Sequence, residues 1–193
     1  MRKEITSVLI AGVGGQGTVL ASKILGLAAM KAGLDVKQSE IHGMSQRGGS
    51  VVTHVRYGEK VNSPLVPVAG ANVIMAFEEL EALRYLPYLK KGGLMIANRQ
   101  QMLPMPVITG AAEYPRDPIA EIREKGARII AADASSIGRE KGDARAANVV
   151  LLGILSKELS FPEEIWIEAI KESMKPKLVE MNLRAFAAGR ELV

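Results

Sequence analysis

Two short segments carry most of the chemical potential in this sequence. The first is Gly12-Val13-Gly14-Gly15-Gln16-Gly17, which follows an apolar run at Ser7–Ala11 and opens a stretch of helical spacing. Glycines in a G-x-G-x-x-G pattern permit a tight turn and let a ligand's phosphates approach the backbone. The helix start behind them presents unpaired N–H groups and about half a unit of positive charge. The second segment is His42-Gly43-Met44-Ser45-Gln46-Arg47-Gly48-Gly49-Ser50. An arginine among glycines and serines suits an anion clamp, because the guanidinium is a planar fork and the glycines free N–H donors. Glu40 lies near the end of the second predicted strand, roughly where an acidic residue meets a ribose hydroxyl in a dinucleotide site. The ordinary pKa of a histidine such as His42 lies near working pH. His42 is placed either to donate to a substrate carbonyl or pyrophosphate, or to make a structural hydrogen bond.

Both segments also admit plainer readings. The glycines would then only let helix and strand pack closely, and the arginine would be solvated on a flexible loop. Other chemistries are excluded more firmly. The turn is not a P-loop, since Thr18 stands where the phosphate-binding lysine belongs. No Tyr-x-x-x-Lys pair of a dehydrogenase occurs, and little chain remains for a substrate domain. The chain has no cysteine, which removes disulfides, a thiol nucleophile and any iron–sulfur cluster on its own thiolates. Its two histidines are few for a multi-histidine metal site, and no metal is expected. A nucleotide-like ligand fits the turn, but the chemistry has to come from elsewhere.

The elements that position these segments read as a single α/β domain over residues 1–193, Rossmann-like, with a mostly parallel sheet, a β-hairpin insertion and a helical C-terminal third. Ser7–Ala11, the helix Gly17–Lys31 and Asp35–Ser39 form a βαβ unit. Glu40–Ser50 is a loop. Ser50–Arg56 is a strand by its Val and Thr content, with a short return strand through Val61. Val73–Phe77, Leu94–Asn98 and Ala127–Ala132 are further strands, and Glu78–Leu89 is a helix. Gln100–Pro118 is rich in proline and irregular. Asp117-Pro118 is an N-cap followed by proline at the first helical position, starting a helix to Lys125 that Gly126 ends. Ala144–Leu159 is a helix, Ser160-Phe161-Pro162-Glu163 a capping box for the next, and Lys177–Arg190 the last. His54, on an alternating strand, and Trp166 are expected to be structural.

The net charge of +4 is mild, and Lys and Arg are interleaved with Glu and Asp, so no nucleic-acid partner is indicated. The opening MRKEITSVLIAG makes a better first strand than a signal peptide, and no run approaches the ~20 apolar residues of a membrane span. A cytoplasmic protein without a membrane partner is expected.

The order GVGGQG, then E-x-H-G-M-x-Q-R-G-G-S-V from Glu40, then Val55-Arg56, resembles the gamma domain of 2-oxoacid:ferredoxin oxidoreductases. Glu78–Ala82, the strand ending at Asn98, Asn148 before Leu152-Gly153, and the closing Lys175-Pro176…Asn182…Ala185-Phe186…Gly189 fit the same pattern, so the likeness spans nearly the whole chain. Within the family, His42-Gly43-Met44 before Gln46-Arg47 is most similar to the small (beta) subunits that serve indolepyruvate. Pyruvate, 2-oxoglutarate and branched-chain enzymes share the domain. The resemblance implies an enzyme that decarboxylates a 2-oxoacid on thiamine diphosphate, passes the acyl group to coenzyme A, and sends electrons through iron–sulfur clusters to ferredoxin. It assigns thiamine diphosphate and the clusters to a large (alpha) partner subunit, leaving this chain inactive alone. Coenzyme A is then expected at a shared site, with no cofactor held by this chain outright. Gly12, Gly14, Gly15, Gln16 and Gly17 match the first family motif; Glu40, Arg47, Gly48 and Gly49 match the second. Contact with coenzyme A, with the thiamine pocket or with the partner alone all stay open for them. An apolar partner-facing surface would let the isolated chain self-associate. A stand-alone nucleotide-binding module is the alternative from a different class.

Overall fold

The computed structural model describes residues 5–42 and 49–193, with the backbone alone for His42. In chain order the elements are β1 (Thr6–Val13), α1 (Thr18–Lys31), β2 (Asp35–His42), β3 (Ser50–Gly58), β4 (Ala71–Ala76), α2 (Glu79–Tyr85), β5 (Leu89–Asn98) and α3 (Met105–Ile108). They continue with α4 (Pro118–Glu124), β6 (Arg128–Ala132), α5 (Ala134–Glu140), α6 (Ala147–Glu158), α7 (Glu163–Ser173) and α8 (Pro176–Arg190).

The strands form one six-stranded sheet in the order β2-β3-β1-β4-β5-β6. β1, β4, β5 and β6 are parallel neighbours, and β3 runs antiparallel to both β1 and β2. The expected α/β class with a mostly parallel sheet is therefore present, but the hairpin differs from the sequence reading. β2 and β3 are its two arms, because the short connection between them allows only an antiparallel neighbour. β3 thereby enters between β1 and β2 and splits the βαβ unit. No return strand forms at Val61: its N–H donates to Asp35 Oδ2 at 2.8 Å instead. Pro64 and Pro67 remove ladder donors from the strap that follows.

Residues alternate between two apolar layers. Val8, Ile10, Val55, Met75 and Ile96 meet α1, α6, α7 and α8; Leu9, Val52, Ile74, Met95 and Ala97 meet the strap and the short helices α2 and α4. In the first layer Trp166 is fully buried beside Phe161 and Phe186, at ring-centroid distances of 5.8 and 6.1 Å. This stack corrects the capping-box expectation. Phe161 is drawn onto Tyr57 and Trp166, Pro162 becomes the N-cap with no side-chain cap, and Ser160 is left outside the helix. Asp117 does cap α4, accepting from Ala120 N–H at 2.9 Å.

Several boundaries also shift. The Glu78–Leu89 helix closes at Tyr85 and passes into a 3-10 turn at Leu86–Tyr88. β5 begins at Leu89 and accommodates Gly92 at φ 75. Met105–Ile108 makes one helical turn in the proline-rich stretch, and α5 was not expected at all. Among the described residues, no helix is long and apolar enough to cross a membrane.

The α6–α8 crossing is unusually close. A Cβ on Gly189 would overlap the Val150 carbonyl, and one on Gly153 would overlap the Phe186 carbonyl. Backbone cannot yield there as a flexible side chain can. Gly189→Ala should therefore lower stability by about 2–3 kcal/mol despite its better helix propensity, a fall of roughly 4–12 °C in melting temperature for a chain of this size. Differential scanning calorimetry checks this.

His54 fastens the strap. It is 5 % exposed, and its Nδ1 accepts the Val66 N–H at 3.1 Å, so the ring is neutral at that nitrogen. Burial holds its pKa below the ordinary value. The unfolded chain then binds the proton more readily than the folded one, and stability falls as pH drops through about 6.5. Urea midpoints between pH 7.5 and 5 should show this decline, and His54→Asn, which keeps an acceptor but does not titrate, should flatten it.

Candidate functional site

β1 delivers the chain into the glycine turn at the carboxyl end of the parallel strands. Gly12 is enclosed, and a Cβ there would sit 2.9 Å from Gln16 Oε1 and 3.3 Å from Phe77 Cβ. Gly15 and Gly17 take φ of 101° and 88°, the left-handed region. Asn148 of α6 packs against Gly17 so tightly that a methyl group would overlap its amide.

Gln16 points inward and pins the turn. Its Oε1 accepts from Val13 N–H at 2.7 Å, and its Nε2 donates to the Phe77 carbonyl and to Gln100 Oε1, both at 3.1 Å. Asn98, 1 % exposed at the end of β5, donates to the same Phe77 carbonyl at 3.3 Å and to Ser135 Oγ at 3.1 Å; it accepts from Ala134 N–H at 2.9 Å. Gly14 N–H donates to the Gly49 carbonyl at 2.9 Å, so the two sequence motifs meet.

Two clefts flank the turn. One, of about 350 Å³, is lined by Gly14, Gly15, Gly17, Thr18, Val19, Glu40 and Val51. Glu40 thus shares a cleft with the turn, although β3 separates its strand from β1. The other, of about 510 Å³, lies between Gly15–Gly17 and the C-terminal helices. It opens where β1 and β4 part, between the strand whose chain turns toward β2 and the strand that leads to β5, a position where open α/β sheets bind ligands. Asn98, Ser135, Arg139, Asn148 and Asn182 line it. The three asparagines had figured in the sequence only as parts of a resemblance; their separation along the chain gave no sign that they converge. Ser135 and Arg139 were missed because α5 was missed. His42 reaches the rim by its backbone, opposite Val51. Arg47 and Gly48 lie outside the described residues.

Behind the turn, Glu78, Glu79 and Glu81 are buried at the end of β4. Glu78 caps α2 by accepting from Glu81 N–H at 2.9 Å, and it also accepts from Met102 N–H at 3.0 Å and from the Tyr114 hydroxyl at 2.5 Å. Burial, then the Glu78 carboxylate, push the Tyr114 hydroxyl well above its ordinary pKa. Glu81 accepts from Ser50 Oγ at 2.5 Å and pairs with Arg84; burial raises its pKa. Each carboxylate has a partner, as buried charge requires.

The sequence matches the pyruvate ferredoxin/flavodoxin oxidoreductase family over residues 7–192. The chain belongs to this family. It is 46 % identical over 188 residues to indolepyruvate oxidoreductase subunit IorB of Thermococcus kodakarensis, covering 95 % of this chain and 93 % of that protein. The fold is shared with a keto/oxoacid ferredoxin oxidoreductase gamma subunit from Geobacter sulfurreducens, at TM-score 0.71 and 22 % identity over 97 % of each chain. It is shared also with part of a 2-oxoglutarate:ferredoxin oxidoreductase from Magnetococcus marinus, solved with 2-oxoglutarate, coenzyme A and succinyl-CoA bound. That likeness has TM-score 0.75 and 21 % identity, and it covers 98 % of this chain but 31 % of the other. The same fold thus occurs both as a separate chain and within a longer one.

The two left-handed glycines separate strain from packing. Gly15 has open space around a built Cβ, so Gly15→Ala meets only the backbone penalty of roughly 1–2 kcal/mol. Gly17→Ala adds the overlap with Asn148 and should cost about 1–3 kcal/mol more. Denaturant titration of both variants tests the ordering.

Proposed function

We propose that this chain is the small subunit of a ferredoxin-linked oxidoreductase acting on indolepyruvate or a related aryl-pyruvate, working in the cytoplasm beside a larger subunit. The observation that carries the reading is the near-complete, 46 % identical match to a protein named as an indolepyruvate oxidoreductase subunit. The donor set agrees with a division of labour: without cysteine, the chain has no thiolate for an iron–sulfur cluster. The clusters and thiamine diphosphate belong to the larger subunit in this reading. When bound there, thiamine diphosphate supplies the decarboxylation chemistry and the clusters carry electrons to ferredoxin.

This chain contributes shape and charge. The Gly12–Gly17 turn presents its backbone and the start of α1 to an anion, and Gln16 holds the turn rigid against Phe77. In this reading Glu40 shares a cleft with the turn and the Gly49 carbonyl meets Gly14, while His42, Arg47 and Gly48 are assigned to the same ligand by their place in the sequence motif, with Arg47 as the anion fork. The ligand these groups suit is coenzyme A at a site shared between subunits, which agrees with the coenzyme A present in the Magnetococcus marinus relative.

Purified together with its large subunit, the chain should support aryl-pyruvate oxidation with coenzyme A and ferredoxin, and alone it should not. An inactive pair contradicts the assignment. In the active pair, Arg47→Ala should raise KM for coenzyme A or for the 2-oxoacid by roughly tenfold with little change in kcat; unchanged kinetics would make Arg47 an ordinary loop residue.

A further inference from the structure

Glu81 lies in the first turn of α2, and its side chain is 4 % exposed. Burying a carboxylate opposes folding unless its contacts offset the lost hydration, and an apolar side chain of similar size carries no such cost. Capping of α2 does not account for it, since Glu78 is the N-cap and accepts the Glu81 N–H at 2.9 Å. The Glu81 oxygens are committed in two other directions. Oε1 pairs with Arg84 one turn on, and Oε2 accepts from Ser50 Oγ at 2.5 Å. Burial pushes the Glu81 pKa up, and the Ser50 hydrogen bond opposes that rise ahead of Arg84. The carboxylate therefore answers to β3 at least as much as to its own helix.

Ser50 is the first residue of β3 and lies opposite Val13, the last residue of β1, in the antiparallel ladder. Alternation puts its side chain on the same face as Val52, in the layer shared with Ala82 of α2, and from there it reaches Glu81. The residue before it, Gly49, accepts from Gly14 N–H at 2.9 Å. Glu81, Ser50, Gly49 and Gly14 thus form a chain of contacts from α2, across the start of β3, into the glycine turn. The two sides of the turn are held differently. Gln16 fastens the inner side through Val13 N–H and the Phe77 carbonyl. On the outer side stand the Gly14–Gly49 bond and, behind it, the grip of Ser50 on Glu81. Gly49 has no side chain to fix its own peptide, so the aim of its carbonyl depends on the anchoring of Ser50.

We propose that Glu81 is a positioning residue for the anion-receiving turn. By holding Ser50 it sets the start of β3 and, through the Gly49 carbonyl, the orientation of Gly14. It acts through these residues and touches no ligand itself. The inference deepens the function proposed above and rests on it for the anion, that of coenzyme A or of the 2-oxoacid. The relay rests on the contacts alone. Ser50→Ala removes the hydroxyl and Glu81→Leu removes the acceptor of the same hydrogen bond, so the two effects should not add.

Amide hydrogen exchange, followed residue by residue by NMR on the full chain, reads the relay without turnover. In Ser50→Ala and in Glu81→Leu the Gly14 amide should exchange about tenfold faster, the scale of losing a hydrogen bond to a charged group. Ile10, inside β1, should keep its rate. Ser50→Thr, which retains the hydroxyl, should restore slow exchange at Gly14. Kinetics of the complex with the large subunit read the consequence. Ser50→Ala and Glu81→Leu should each raise KM for coenzyme A or the 2-oxoacid about three- to tenfold with kcat little changed. The double variant should be no worse than the worse single one. A merely structural role would speed Ile10 and Gly14 alike and leave KM as it was, and that result overturns the proposal. So do an unchanged Gly14 rate, no rescue by Ser50→Thr, or additive effects in the double variant. An inactive pair with the Gly14 response intact would remove the catalytic assignment and leave the relay standing. An active pair without that response would do the reverse.

Discussion

The backbone carbonyl of Phe77 sits just past the end of β4 and accepts two side-chain amides, from Gln16 of the glycine turn and Asn98 of β5. That carbonyl ties three neighbouring parallel strands together at the edge where their ladders stop. Gln16 and Asn98 are also joined through Gln100, which accepts from both. The arrangement answers a general difficulty of α/β sheets. The carboxyl ends of the strands must be open enough to meet a ligand, yet their last polar groups must be satisfied. Here the satisfaction is internal, so the turn is rigid before anything binds. A preorganised turn spends less ordering entropy on its ligand.

The rest of the fold maintains that edge. α6 presses Asn148 onto Gly17, and α8 is held against α6 where Gly153 and Gly189 allow backbone to meet backbone. The Phe161–Trp166–Phe186 stack fixes α7 and α8 against the same layer. On the opposite layer, His54 fastens the strap and the buried Glu78 anchors Met102 and Tyr114. The chain beyond Met102 leaves Leu103, Met105 and Ile108 exposed, all apolar and close in sequence to the edge. Rigid walls and an apolar shoulder are what a half-site completed by another subunit requires.

Much of this was legible from residue order alone. β1, the glycine turn and α1 follow from an apolar run, three glycines at fixed spacing and a helical stripe, which are local signals. The insertion of β3 between β1 and β2 was not legible, because alternation reveals a strand but not its neighbours. The helix α5 is seven residues long and follows β6 almost directly, too short to show a stripe. The capping box at Ser160 failed because a tertiary stack took Phe161, and that outweighed a local hydrogen bond. The crevice was hidden for the same reason: Asn98, Ser135, Asn148 and Asn182 come from four separate segments, and only the fold brings them together. Gln16, expected at a ligand, lines the crevice and also pins the turn, a role its place in the motif did not reveal.

Hydrogen–deuterium exchange, compared between the chain alone and the chain bound to its large subunit, addresses the central claim most directly. If the carboxyl edge is half of a shared site, binding should slow amide exchange across residues 14–20 and 99–109. The opposite edge, at the amino ends of the parallel strands near Thr6, Lys90 and Arg128, should be unchanged. Protection confined to those amino ends, with the glycine turn exchanging as in the free chain, would contradict the account.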